Sequence, residues 1–183
     1  MSSNPTDQED AYFRKQDQEL RQRLRDQLSA AAGDLGQQKG ELSIQQRLQS
    51  LGFTGDKLRV FDLMPLIHVA WADGSVSRQE RSTILDVLRG RNIEPGTDAF
   101  ILVETLLEER PTPEFLTQTL EVLRQAVGDS RAQNIVELCV QVANASGGFM
   151  NIGKMSDAER TLIESIANTL GHAARDAFHR ELG

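Results

Sequence analysis

Apolar residues recur at intervals of three and four along most of the chain, and no stretch alternates strictly between apolar and polar positions. One such run contains Ile84, Val87 and Leu88, and a later one contains Leu162, Ile163, Ile166 and Leu170. This spacing places the apolar side chains on one face of a helix. The pattern predicts an all-α fold, a compact bundle of about seven to nine helices with an internal pseudo-repeat, preceded by an N-terminal amphipathic helix.

The chain divides into three parts by composition. Residues 1–10 are polar, contain no apolar side chain beyond Met1, and are predicted to be disordered. Residues 11–40 comprise an amphipathic helix from Tyr12 to Leu28 and a glycine-containing linker from Ala30 to Gly40. Residues 41–183 form the helical domain. We expect the N-terminal helix to pack on this domain through a stripe of Phe13, Leu20, Leu24 and Leu28, and a coiled coil with another chain is the alternative.

Local signals mark where several helices begin and end. Pro65 interrupts a helical repeat that runs from Leu58 to Trp71, so we expect two helical pieces there. Thr97 and Thr112 are placed to cap helices, and Pro113 suits a first helical position. Glycines are expected to end three helices, at Gly52, near Gly90 and at Gly171.

Charge and cysteine content limit the classes of function. The chain has 20 basic and 27 acidic residues, a net charge of -7, and no basic stripe, which argues against a nucleic-acid partner. The longest apolar stretch, Leu63 to Ala72, is too short to insert across a membrane, and the N-terminus does not look like a secretory signal. Cys139 is the only cysteine, so no internal disulfide forms. We expect a cytoplasmic protein.

A short signature occurs twice, about eighty residues apart. Each copy has a helix end, a glycine-containing loop and Ser-x-x-Glu before the next helix. In such a capping box the serine oxygen accepts a backbone hydrogen bond from the glutamate, and the glutamate carboxylate accepts one from the serine. The first copy reads Ala70-Trp71-Ala72-Asp73-Gly74-Ser75-Val76-Ser77-Arg78-Gln79-Glu80, and the second contains Ala143-Asn144-Ala145-Ser146-Gly147 and Lys154-Met155-Ser156-Asp157-Ala158-Glu159.

The same residues suggest a cation site. Asp73-Gly74 followed by Glu80 copies the second half of an EF-hand loop, but Val69 and Trp71 fall where a calcium loop needs oxygen ligands, so a true EF-hand is excluded. A weaker hypothesis survives, in which Asp73, Glu80 and Glu159 converge with loop carbonyls on a hard divalent cation, with calcium the foremost candidate. The alternative is that these acidic residues are helix caps only.

The two copies together resemble the TerB-like domain of tellurite-resistance proteins. The similarity covers approximately Leu58 to Gly171 and is carried by Ala-x-Ala-Asp-Gly-x-Val-Ser-x-x-Glu and its degenerate repeat. It implies an all-helical pseudo-repeat, a connection with tellurite and other chemical stress, and divalent metal binding through an acidic patch. By this resemblance Asp73, Glu80 and Glu159 inherit the metal-binding role. The chain departs from the pattern at Ser146, where the first copy has Asp73.

No catalytic constellation is visible, and we expect no enzyme. His172, Asp176 and His179 share one face of the last helix but are more simply explained as coincidence than as zinc ligands, and His68 is expected to be a packed histidine. The expected function is a non-enzymatic interaction module in a bacterial stress response, with protein partners or self-association. The alternative is a purely structural or oligomerisation protein that uses the N-terminal helix.

Overall fold

The computed structural model describes residues 18–27, 44–145 and 155–183, and all regular structure within them is helical. This confirms the all-α prediction. Residues 18–27 belong to helix α1. The further elements are α2 (Ile44–Ser50), a 3-10 helix (Gly55–Leu63), α3 (Met64–Ala70), α4 (Arg78–Gly90), α5 (Asp98–Glu108), α6 (Pro113–Ala126), α7 (Asp129–Ala145), α8 (Asp157–Leu170) and α9 (His172–Leu182).

Helix α7 lies at the centre of the bundle and packs against α3, α4, α8 and α9. Its buried face includes Ile135, Cys139 and Val142, which follow one another at intervals of four and three residues. The Cys139 side chain is fully buried, and burial raises the pKa of its thiol. The core therefore joins both halves of the domain around one helix.

The chain changes helix type at the predicted break around Pro65. The 3-10 helix ends at Leu63 and α3 begins at Met64, with Pro65 in the first turn of α3, where a helix needs no backbone donor. The expectation of two helical pieces is confirmed. Leu58, however, is 46% exposed, so its predicted place on the buried face is wrong. The 3-10 helix enters the core only from Val60 onward.

Helix α1 docks on the same chain, against the C-terminal half of α5. Leu24 is only 7% exposed, and Arg21 and Arg25 form ion pairs with glutamates of that region. Packing on its own domain is thus confirmed for residues 18–27. Leu20 is 42% exposed, so the docked stripe is narrower than predicted. Phe13 and Leu28 lie outside the described residues.

Several predictions fall on parts of the chain that the structure does not describe. These are the disordered tail, the linker from Ala30 to Gly40 and the loop around Gly147, and they stay predictions. Among the helices that are described, none combines the length and the apolar character required to cross a membrane.

A buried carboxylate ties three elements together. Asp62, near the end of the 3-10 helix, is 3% exposed and accepts hydrogen bonds from Arg91 Nη1 at 2.6 Å and Nη2 at 3.1 Å. It also accepts one from Arg131 Nε at 2.9 Å. Burial alone would raise the pKa of Asp62, but the hydrogen bonds and charges of Arg91 and Arg131 outweigh it, so the pKa is lowered. The 3-10 helix is thereby fixed to the C-terminus of α4 and the start of α7.

Replacing Asp62 by alanine should destabilise the fold, because two guanidinium groups lose their shared carboxylate. We expect a loss of about 3 kcal/mol at pH 7 in urea unfolding. Since the folded-state pKa of Asp62 is lowered, its contribution is full above the unfolded value of about 4 and disappears as the pH falls through the folded value. The difference in free energy of unfolding between Asp62→Ala and wild type should therefore become smaller at acidic pH. Asp86→Ala, which breaks an exposed pair with Arg89, is the matched control and should change little.

Candidate functional site

The first capping box stands at the start of α4. Glu80 N–H donates to Ser77 Oγ at 3.2 Å, and Ser77 N–H donates to Glu80 Oε2 at 2.7 Å. The preceding loop turns at Gly74, whose φ of 92° lies in the region that favours glycine. Trp71 Nε1–H donates to the Leu106 carbonyl at 2.8 Å and fixes the loop to α5.

The second capping box repeats the first at the start of α8. Glu159 N–H donates to Ser156 Oγ at 3.2 Å, and Ser156 N–H donates to Glu159 Oε2 at 2.7 Å. Both predicted capping boxes are therefore confirmed. Each capping box provides hydrogen-bond acceptors for two backbone N–H groups that a helix start otherwise leaves without partners.

The two boxes lie against each other. Ser156 Oγ–H donates to Asp73 Oδ1 at 2.8 Å, a contact between residues 83 positions apart. The side chain of Glu159 lies within hydrogen-bonding reach of the Glu80 carboxyl group, and its charge raises the pKa of Glu80. The structure thus brings Glu80 and Glu159 together and attaches Asp73 to the same helix start through Ser156.

Both carboxyl groups are removed from solvent, with Glu80 3% and Glu159 1% exposed. Burial is the largest cause of the raised pKa of Glu80, the hydrogen bonds from Ser77 oppose it, and the neighbouring Glu159 adds to it. Ser77 and Glu159 are the residues that shift the pKa of Glu80 besides burial, and neither brings a positive charge to its carboxylate. The N-terminal ends of α4 and α8 supply partial positive charge, which favours the ionised carboxylates.

Such a pair can hold a shared proton or a hard cation. A carboxylate has about four lone-pair positions, so one capping bond does not exhaust it. Within the described residues, no group of three or more His, Cys, Asp or Glu side chains is arranged to hold a metal ion. Asp73, Glu80 and Glu159 are among these described residues, so the three carboxylates do not form such a group by themselves. The cation site stays a prediction that requires further oxygen ligands, and residues 146–154 of the second loop lie outside the described part of the chain.

The family comparison follows this geometry. A family model described as Tellurite resistance protein TerB matches residues 63–180, more than half of the chain. The chain belongs to the TerB family. No curated protein and no solved structure gives a significant match. The TerB match contains both capping boxes and Asp73, whereas α1 precedes it.

The other candidates within the TerB domain do not form a site. His172 Nδ1 lies 2.9 Å from Asp176 Oδ2, but these side chains are 81% and 57% exposed, and His179 packs edge-on against Phe178 instead. His68 is 8% exposed, and burial together with the charge of Arg110 lowers its pKa to about 4. It is therefore neutral at pH 7, as a packed histidine would be.

Sequence reasoning missed two contacts of the TerB domain. The bond from Ser156 to Asp73 has no local signal, because each residue already fits its own loop. The attachment of α1 to Glu108 and Glu109 had a visible signal in the acidic end of α5, but nothing in the sequence related it to Arg21 and Arg25.

The two serine caps provide a matched pair of variants. Ser77→Ala removes one capping bond and should cost about 1 kcal/mol in urea unfolding. Ser156→Ala removes the equivalent bond and also leaves Asp73 without its hydroxyl donor, so we expect a larger loss, within about 2 kcal/mol. Equal losses for both variants would show that the contact between the repeats contributes nothing to stability.

The raised pKa of Glu80 gives a pH-dependent effect of opposite sign to that of Asp62. Ionised Glu80 is disfavoured in the folded state, so the contribution of Glu80 to the free energy of unfolding decreases as the pH rises from about 4.3 through the raised pKa. Glutamine can fill the same capping position without ionising. Glu80→Gln should therefore gain stability relative to wild type between pH 4 and pH 7, measured by urea unfolding with chelator present. Glu164→Gln, exposed on α8, should show no such trend.

Proposed function

We propose that this TerB domain is a non-enzymatic, cytoplasmic interaction module of a bacterial tellurite-type stress response, and that a divalent cation, foremost calcium, binds between its two capping boxes. Glu80 and Glu159 would supply ligands, with Asp73 beside them. The observation that carries the proposal is the pair of buried carboxylates at facing helix starts.

Charge balance supports a cation at this position. Two adjacent carboxylates that are both shielded from water repel each other strongly unless a proton or a cation lies between them. Carboxylate oxygens are the ligands that calcium and magnesium prefer. Calcium requires 6–8 oxygens, so loop carbonyls and water would complete the shell around the three carboxylates.

The cation would connect the two halves of the domain. Glu80 begins α4 and Glu159 begins α8, and Asp73 comes from the loop that Trp71 fixes to α5. An ion shared by these residues would hold both helix starts and the first loop in one arrangement. We infer that the resulting loop surface is what a protein partner contacts, and that occupancy of the ion site controls its rigidity.

An enzymatic role for the glutamates has less support. A general acid or base needs access to a substrate, but Glu80 and Glu159 are nearly inaccessible to solvent. In the described part of the chain, a shallow depression on α8 is lined by Thr161, Glu164 and Ser165 among others, and neither Glu80 nor Glu159 contributes to it.

A structural role is the second candidate, and the capping geometry favours it. Each glutamate already has a complete function in its capping box, which needs no metal. On this alternative, Glu80 carries a proton where the first proposal places an ion. The domain would then be a scaffold whose acidic residues only define helix starts.

Calorimetric titration of chelator-treated full chain with calcium, magnesium and zinc separates the two candidates. We expect calcium to bind below millimolar concentration and to raise the unfolding temperature. Glu159→Gln and Asp73→Asn should each weaken binding by about tenfold or more, since each removes a charged ligand. Glu164→Gln is the control. Glu164 is exposed on α8, the same helix as Glu159, so this variant should bind calcium as wild type does. Absence of any binding below millimolar concentration would support the structural role alone.

A further inference from the structure

Helix α1 occupies a defined surface at the C-terminal end of α5. This acidic α5 surface consists of Glu104, Glu108 and Glu109. Arg21 Nη2 lies 3.6 Å from Glu104 Oε2, Arg21 also pairs with Glu108, and Arg25 pairs with Glu109. The contact face of α1 is thus Arg21, Leu24 and Arg25, at positions i, i+3 and i+4.

The contact is small and partly open to solvent. Within residues 18–27, Leu24 is the one buried apolar side chain. The side chains of Arg25 and Glu109 are 40% and 45% exposed, so salt screens their attraction. A contact built from one leucine and such ion pairs opens readily. Because α1 and the TerB domain belong to one chain, α1 remains tethered to the domain after the contact opens.

The acidic α5 surface belongs to the TerB domain, but its occupant does not. Glu104, Glu108 and Glu109 lie within the matched residues 63–180, whereas residues 18–27 precede them. The surface is also continuous with the candidate cation site, because Glu108 Oε1 lies 4.0 Å from Arg81 Nη1, next to Glu80. A ligand at this surface therefore sits beside the start of α4.

We propose that the acidic α5 surface is the docking site for a basic amphipathic helix of a protein partner, and that α1 occupies it as a built-in competitor. The partner helix would present Arg or Lys, then Leu three residues later and a second Arg or Lys, as Arg21, Leu24 and Arg25 do. The inference rests on the proposed role as an interaction module but requires no cation.

Charge selects this class of partner. The three glutamates of the surface attract a basic helix and repel polyanions such as nucleic acids. A partner must also displace a tethered competitor, whose effective concentration is on the order of 1 mM. Binding in trans is therefore weaker while α1 is docked than after α1 is released.

The experiment uses a fluorescent peptide with the sequence of residues 11–28 as the probe, and fluorescence anisotropy on the full chain in chelator. Leu24→Asp in the chain removes the buried contact and should release α1, since the substituted carboxylate would face the acidic surface. We expect the peptide to bind the Leu24→Asp chain roughly tenfold more tightly than wild type. Circular dichroism establishes that the variant keeps its helical content.

A charge exchange locates the binding surface. An Arg25→Glu peptide should bind the Leu24→Asp chain about tenfold more weakly than the wild-type peptide, and adding Glu109→Arg to that chain should restore binding. An Arg23→Glu peptide is the matched control, because Arg23 lies exposed on α1 away from the contact face. The Arg23→Glu peptide has the same change in net charge but keeps the contact face intact. It should therefore lose much less affinity than the Arg25→Glu peptide.

Three outcomes would overturn the proposal. These are equal affinity of the peptide for wild type and Leu24→Asp, equal binding of a scrambled peptide, and no restoration by Glu109→Arg. A doubling of the mass of the wild-type chain over the same concentrations would identify a second copy, not a partner, as the occupant, and would also overturn it. Because chelator is present throughout, failure here is independent of the cation titration.

Discussion

The structure depends on placing two carboxylates out of water at the facing starts of α4 and α8. Each glutamate is needed to close the first turn of its own helix, and closing both turns in the packed domain brings like charges together. The hydrogen bond from Ser156 to Asp73 holds the two starts in register across the repeats. The cation site proposed above rests on this opposition between helix capping and the repulsion of like charges.

Asp62 is a second buried carboxylate, and its pKa is shifted in the opposite direction to that of Glu80. Asp62 faces the two cations Arg91 and Arg131, and its pKa is lowered, whereas Glu80 faces another carboxylate and its pKa is raised. Both side chains are 3% exposed, so burial alone does not set the direction of the shift. The charges of the neighbouring side chains set the direction of the pKa shift. Asp62 has the charge partners that a structural ion pair requires, whereas the nearest charged neighbour acting on Glu80 is the carboxylate of Glu159.

The features that the sequence predicted are those encoded by neighbouring residues. Both capping boxes, the break at Pro65 and the helix start at Thr112 follow from signals within a few residues of each other. Leu20 and Leu58 were misplaced because periodicity gives the direction of a side chain but not whether another element covers it. The contact from Ser156 to Asp73 and the ion pairs of Asp62 join residues far apart in sequence. They became visible only once the helices were packed.

The burial of Cys139 in the central helix has a practical consequence. Thiol reagents attack the thiolate, and this side chain is both shielded from solvent and held in its protonated form. Modification therefore requires an opening of the domain that exposes the buried face of α7. Because no other cysteine competes for the reagent, the rate at which an alkylating dye labels the native chain records how often its centre is exposed.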